Sequence, residues 1–237
     1  MDKFARDHLQ RSFVLHRRDF GNTSLILEVF SGPHGRLAVL AKGAKRPRRR
    51  VAGGEMLQPF RPLWLSWSGR GEVKTLVRSE PAGSAVDLSG TALFCGLYLN
   101  ELLVRLLGRA DPQEALFAFY HLALTSLAQG DDIQSVLRQF ELRLLHELGY
   151  SVELDREAES GDPIQPEARY VYEPELGLRA AGLGDERQAV SGETLLLLSA
   201  GEPLTGPQAG EAKTLSRALL APHLGERPLK SRELFRR

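Results

Sequence analysis

Near residue 81 the apolar pattern of this chain changes period, from two residues to about 3.6, and that change limits what it can fold into. A run of strands followed by a run of helices marks an α+β protein or two successive domains, not an alternating parallel sheet. Five short strands are expected before the change. Ser12-Phe13-Val14-Leu15-His16 starts the pattern, and Ser24 to Phe30 follows with Leu25, Leu27 and Val29 on one face. The turn cluster Ser31-Gly32-Pro33-His34-Gly35 leads into a return strand from Arg36 to Ala41. Leu57 to Trp67 is strand-like, with Pro59 and Pro62 making its first half irregular. In it Leu63, Leu65 and Trp67 share one face and Trp64 lies on the other. Ser68-Gly69-Arg70-Gly71 turns the chain into a last strand, Glu72 to Glu80. Five strands in about 80 residues predict a small β-barrel or sandwich.

After residue 81 the pattern is helical. Thr91 to Leu107 is apolar nearly all round, as in a buried central helix. Asp111-Pro112-Gln113-Glu114 reads as a helix start, with Asp as cap, Pro at the first helical position and Glu three residues on. That helix carries Leu116, Phe117, Tyr120, Ala123, Leu124 and Leu127. Asp131 is the expected cap of a third helix, where Ile133, Val136, Leu137, Phe140, Leu144 and Leu148 keep helical spacing up to Gly149. Residues 151–183 are an acidic, turn-rich insertion, with a small hairpin of Tyr170-Val171-Tyr172 and Leu176 to Ala180. Ser191 opens a short helix, Pro207 to Leu220 is a further one, and residues 224–237 form a basic tail. The domains expected are 1–80 and 81–237.

Composition narrows the function classes. Apolar residues at 42% and charged residues at 26% are globular values. The longest apolar stretch, Thr91 to Leu107, is broken by Asn100, Glu101 and Arg105 and is too short to span a membrane. The N-terminus has no apolar signal-peptide core, so a cytoplasmic protein is expected. Cys95 is the only cysteine, which excludes an internal disulfide and any Cys-based zinc site. There is no HExxH, Walker A or GxGxxG pattern, and the six histidines are scattered. Helix capping explains Asp131-Asp132. Glu153, Asp155, Glu157, Glu159 and Asp162 match no EF-hand spacing. No catalytic residue, metal or cofactor is expected.

The net charge of +1 conceals an asymmetry. Residues 1–80 hold 16 Lys and Arg against 7 Asp and Glu, and residues 81–237 hold 15 against 23. Such imbalance within one chain points to a nucleic-acid or membrane partner. Between Glu28 and Glu55 there is no acid, but there are Arg36, Lys42, Lys45, Arg46, Arg48, Arg49 and Arg50. A polycation on a Gly/Pro-containing loop can follow phosphates without reading bases. The bland alternative is a solvated loop with no ligand. Arg70, Lys74 and Arg78 extend the surface if their hairpin is adjacent, and the tail adds Lys230 and Arg232. Single-strand binders pair a basic groove with aromatic platforms, for which Phe20, Phe60, Trp64 and Trp67 are available. On the third helix Arg138 and Arg143 are the basic residues, and a cation beside an apolar groove from Phe117, Tyr120, Leu124, Leu137 or Phe140 suits capture of a peptide carboxylate. From spacing alone, a solvated arginine on a helix flank is the favoured reading.

Several segments, taken in order, resemble the bacterial recombination mediator family RecO. They begin with Ser12-Phe13-Val14-Leu15-His16-Arg17-Arg18, His34-Gly35-Arg36, Ala41-Lys42-Gly43-Ala44 and Leu57-Gln58-Pro59-Phe60. They continue through Gly69-Arg70-Gly71-Glu72-Val73-Lys74, Tyr98-Leu99-Asn100-Glu101-Leu102 and Arg138-Gln139-Phe140-Glu141 to Pro228-Leu229-Lys230-Ser231-Arg232-Glu233-Leu234-Phe235. The resemblance implies an N-terminal OB-fold barrel followed by a mainly helical domain. It implies a non-enzymatic protein that binds single- and double-stranded DNA and anneals complementary strands. It also implies two partners, RecR and the C-terminal tail of single-strand-binding protein, so that RecA is loaded on coated DNA. By position, Lys42 and the cations after it fall on the family's basic OB surface, and Arg138 falls in the stretch that binds the acidic tail. Some members carry four zinc-binding cysteines after the central helices; residues 150–183 here contain none, which resembles the zinc-free branch. The alternative that the residues leave open is an RNA-binding OB module.

Overall fold

The computed structural model of the chain describes residues 9–45 and 55–236. Five strands close into a barrel: β1 (Gln10–Phe20), β2 (Ser24–Ser31), β3 (Gly35–Ala41), β4 (Leu63–Ser68) and β5 (Val73–Pro81). Their order is β1-β2-β3-β5-β4, and β4 pairs back onto β1 through Gln10↔Leu65 and Ser12↔Leu63. β3 and β5 run parallel from Ala38↔Val73 to Leu40↔Thr75, and the other pairs are antiparallel. This is the expected OB-type barrel, in which closure protects the sheet edges. Val14, Leu27, Val29, Val39, Leu63 and Leu65 fill the interior, as side-chain alternation along each strand requires.

Alternation fails in β1, where Ser12 to Leu15 are all buried. The outer face of β1 and β2 is covered by helix. Two helices follow the barrel, α1 (Gly90–Leu106) and α2 (Glu114–Gln129). The Phe13 ring meets Tyr120 edge-on at 5.2 Å and Phe117 at 5.6 Å, and Phe30 meets Phe117 at 5.4 Å. A β-bulge between Val14 and His16 takes one residue out of the ladder. The carbonyl of Leu15 accepts instead from Asn100 Nδ2 at 2.9 Å, and Asn100 Oδ1 accepts from the Tyr120 hydroxyl at 2.5 Å. This buried network welds β1, α1 and α2 together.

By contact the chain gathers into two compact units. One compact unit is Met1–Ala128 with Leu229–Arg237, and the other is Gln129–Pro228. The period marks the type of element, whereas the packing of Phe13, Phe30, Asn100 and Tyr120 marks what folds with what. The expected start of the second helix at Asp111-Pro112 moves, since α2 begins at Glu114. Residues 110–113 bind the barrel instead: Ala110 N donates to Arg36 O at 3.0 Å and Gln113 N to Gly32 O at 2.8 Å. Gly35, at φ 62, lies so close that a Cβ there would sit 1.9 Å from the Asp111 carbonyl oxygen.

The tail returns to α1 as a 3-10 segment, Lys230–Arg236. Leu229 is buried, and Phe235 meets Phe94 edge-on at 5.9 Å. The Glu101 carboxylate accepts from Lys230 N at 2.9 Å, Ser231 N at 2.8 Å and Ser231 Oγ at 2.6 Å.

In the second unit α3 (Ile133–Glu147) is capped by Asp132, one residue later than expected, through Ser135 N at 2.7 Å. The expected hairpin forms from β6 (Arg169–Glu173) and β7 (Gly177–Ala180), and β8 (Val190–Ser191) extends it to the order β7-β6-β8. Ser191 caps α4 (Gly192–Ala200) as expected, while α5 (Pro207–Leu224) runs past Leu220 with Pro222 inside its last turn. Glu211 of α5 accepts from Ser191 N at 3.0 Å, Ser191 Oγ at 2.6 Å and Thr194 Oγ1 at 2.7 Å, and pairs with Arg169 at 3.0 Å. Among the described residues no three metal-ligating side chains converge, and no helix is long and apolar enough to cross a membrane.

Candidate nucleic-acid interface

Sorted by compact unit, the charges separate further than the two halves of the sequence do. The barrel unit holds 22 Lys and Arg against 12 Asp and Glu, a balance of +10. The second unit holds 9 against 18, a balance of −9.

Two groups of cations lie on the barrel. One is at the tip of the β1–β2 hairpin, where the ladder continues through Arg17↔Leu27 and Arg18↔Ile26 to Phe20↔Ser24. His16 to Phe20 are exposed throughout. Lys42 and Lys45 join this tip. Lys45 N donates to Thr23 O at 3.0 Å, its Nζ pairs with Asp19 at 2.6 Å, and Gly43 N donates to Ser24 Oγ at 3.4 Å. Lys42 and Lys45 of the basic run thus lie at the hairpin tip; Arg46, Arg48, Arg49 and Arg50 lie outside the described residues.

The second group is at the β4–β5 turn, where Arg70 is exposed and Lys74 Nζ donates to Gly69 O at 3.2 Å. The parallel pairing sets this turn beside the start of β3, and Leu25↔Ala41 sets the hairpin tip beside its end. At the usual rise per residue, the seven residues of β3 span about 20 Å. Arg78 lies farther along β5, opposite Ser66, where its Nε donates to Glu80 at 2.8 Å. Arg36 lies on the outer face of β3 but is covered: it pairs with Glu28 at 2.9 Å, its Nε donates to Leu107 O at 3.0 Å, and its side chain is 14% exposed. It ties β3 to the end of α1.

Lys230 is exposed and Arg232 half-buried on the tail that Glu101 holds. Burial pushes the Glu101 carboxyl up, but the hydroxyl and amide of Ser231, the Lys230 amide and nearby Arg105 together hold it below its ordinary value. Of the aromatic candidates, Phe60 is buried, Phe20 is 52% exposed at the hairpin tip, and Trp64 is 39% exposed. Trp67 is half-buried beside a bulge between Ser66 and Trp67.

Arg138 is not a solvated flank residue, because it is only 4% exposed. Its Nη2 donates to Glu141 at 2.6 Å, while Nε and Nη1 are buried and find no acceptor among the described residues. Unfilled donors on a buried guanidinium are costly, and they constitute capacity for an incoming acceptor. Leu137 is buried on the same helix. Of the other groove candidates, all in the barrel unit, Tyr120 and Leu124 are fully buried and Phe117 is half-buried.

The family model described as Recombination protein O N terminal matches residues 6–85, and Recombination protein O C terminal matches residues 88–233. The chain belongs to the recombination protein O family. It is 51% identical to a protein of Methylococcus capsulatus named DNA repair protein RecO, over 98% of this chain and 94% of that one. Proteins of the same name from Nitrosospira multiformis and Aromatoleum aromaticum are each 46% identical. Those two alignments cover 98% and 100% of this chain and 96% and 98% of theirs.

Arg17 and Arg18 were not singled out by sequence reasoning. Their signal is present but faint: β1 keeps its strand pairing after its apolar alternation has stopped at His16. A strand that outruns its own core has two exposed faces, and adjacent arginines then both reach solvent.

Proposed function

We propose that this family member is a non-enzymatic mediator of recombination in DNA repair. It binds single- and double-stranded DNA, anneals complementary strands and, with RecR, helps load RecA on DNA coated by single-strand-binding protein, in the cytoplasm at the nucleoid. The observation that carries this reading is the separation of charge between the units, +10 against −9. Two DNA strands repel each other through their phosphates, and cations at both ends of β3 lower that repulsion while releasing counterions. Lys42, Lys45, Arg70 and Lys74 serve there, with Arg46, Arg48, Arg49 and Arg50 following in sequence and Arg78, Lys230 and Arg232 at the margin. Annealing makes and breaks no covalent bond, so phosphate-holding cations suffice for it. On α3, Arg138 with Leu137 receives the acidic C-terminal tail of single-strand-binding protein, because the guanidinium has donors to spare for a carboxylate.

Strand annealing, measured on bare oligonucleotides and on oligonucleotides coated with single-strand-binding protein, tests both statements. The wild type anneals both substrates. Arg138→Glu anneals the bare strands and fails on the coated ones; equal annealing by this variant on coated DNA rejects the Arg138 role. A chain that prefers RNA in direct competition is an RNA-binding OB module instead.

A further inference from the structure

Trp67 faces a cleft of about 580 Å³ at the β4–β5 end of the barrel, with Pro33, His34, Leu37, Lys74 and Gln10 around it. Strand β4 explains why the indole is there. Leu63 points in, Trp64 out, Leu65 in and Trp67 again toward the core, where the pairing with β5 skips Val77 and the indole is left half-exposed. One side of the indole packs against the barrel core. His34 meets it edge-on, with ring centroids 5.3 Å apart and an interplanar angle of 83°. The wall that carries His34 is fixed in place. Gly32 and Arg36 accept from the backbone of residues 110–113, and the close approach of Gly35 to Asp111 leaves no room to shift. The cleft is therefore preformed.

Its chemistry is selective. The described lining holds a lysine and no carboxylate. Lys74 uses one donor on Gly69, and an ammonium has three. An aromatic face bounded by prolines, with a cation at the rim, fits a flat heterocycle that carries an anion. The volume lies within the roughly 300–1,000 Å³ of small-molecule pockets. We propose that this cleft takes one unpaired nucleobase of single-stranded DNA, stacked on Trp67 with its phosphate toward Lys74. The inference rests on the DNA-binding reading above and adds to it a site that separates single strands from duplex. A base inside a duplex is already stacked on both faces and cannot enter.

The chain has two tryptophans, so Trp64→Phe leaves Trp67 as the sole indole and alters a residue outside the cleft. This variant is titrated with a labelled oligothymidylate and with a labelled duplex, reading indole emission and label anisotropy together. The expected result is quenching of Trp67 that follows the anisotropy curve for the single strand, and duplex binding without quenching. Trp67→Leu and His34→Ala each weaken single-strand affinity about tenfold, on the scale of one stacked base, with duplex affinity and salt slope unchanged. Trp67→Tyr restores most of the loss. Single-strand binding with unchanged Trp67 emission, or at wild-type affinity in Trp67→Leu, overturns the stacking site and leaves the DNA-binding reading intact. Anisotropy showing no DNA binding in the wild type overturns both.

Discussion

The barrel unit and the second unit are held together by the same devices and differ in what they leave on their surfaces. Each has a glycine pressed against a carbonyl oxygen, Gly35 against Asp111 and Gly192 against Gln165. Each has a carboxylate that gathers hydroxyl and amide donors, Glu101 for the tail and Glu211 for α4 and β8. What differs is the sign of the surplus charge. In the second unit Arg138, Arg143, Arg169 and Arg179 all pair with acids of that unit, and an acidic surplus remains. In the barrel unit Arg36 and Arg109 share Glu28, and Lys45 and Arg78 have one partner each, which leaves a cationic surplus. Folding thus sharpens the charge contrast by returning the basic tail to the barrel.

The largest expected effect separates the two units. A Cβ at either Gly35 or Gly192 would lie 1.9 Å from a backbone oxygen, which no rotamer relieves. Gly35→Ala adds a positive φ to the clash. Each substitution should cost more than about 3 kcal/mol, in the exceptional range for single changes. Chemical denaturation measures the loss. Gly35→Ala should abolish single-strand binding, and Gly192→Ala should leave it near wild type. Equal loss of binding in both would break the assignment of DNA contacts to the barrel unit alone.

A smaller effect tests the charge contrast without disturbing the fold. Lys42→Glu with Lys45→Glu should weaken single-strand affinity by about tenfold or more at low salt and flatten the salt dependence, each lost phosphate contact lowering the slope by about 0.7. The matched reversal in the second unit, Lys213→Glu with Arg217→Glu, changes two exposed residues of α5 and should leave both quantities unchanged. An equal effect from the two pairs would show that net charge, not place, governs binding.

What was legible in the sequence follows the range of the interaction that decides it. Alternation in β2 and helical spacing in α3 are local, and both elements came out within a residue or two. The Ser191 cap needs only the three residues after it and is legible for that reason. The start of α2 is not legible, because Asp111 has the form of a cap, yet its segment is bonded to Gly32 and Arg36 and packed against Gly35 from far upstream. The membership of α1 and α2 in the barrel unit depends on Phe13 and a bulge carbonyl at Leu15, which no period reveals. At the candidate site the cations are visible as composition, but the covering of Arg36 and the burial of Arg138 are not. Each is set by a partner and a neighbouring surface, Glu28 with Leu107 for one and Glu141 for the other. Trp67 keeps the inward phase of Leu63 and Leu65 that the pattern shows, but its half-exposure beside the skipped Val77 of β5 is not written in that pattern.

The subtlest difference concerns the two gathering carboxylates. Burial pushes both up, and donated hydrogen bonds outweigh it in both, so Glu101 and Glu211 each ionise below the ordinary value of 4.5. A lowered folded value means that the stabilisation is complete above the unfolded value and is lost as pH falls through the folded one. Acid below about pH 4.5 should therefore weaken both clasps, but with different readouts. Loss of Glu101 frees the Lys230 and Ser231 amides, which hydrogen exchange detects at the tail alone. Loss of Glu211 unties Ser191, Thr194 and Arg169 and should lower the stability of the second unit. Glu101→Gln should cost about 1 kcal/mol, since the site is partly solvated, and Glu211→Gln about 1–2 kcal/mol. If the tail is part of the DNA surface, Glu101→Gln lowers single-strand affinity two- to threefold, roughly the share of two among many phosphate contacts, and Glu211→Gln does not. Unchanged affinity with a released tail would confine the DNA surface to the barrel strands and make Lys230 and Arg232 bystanders.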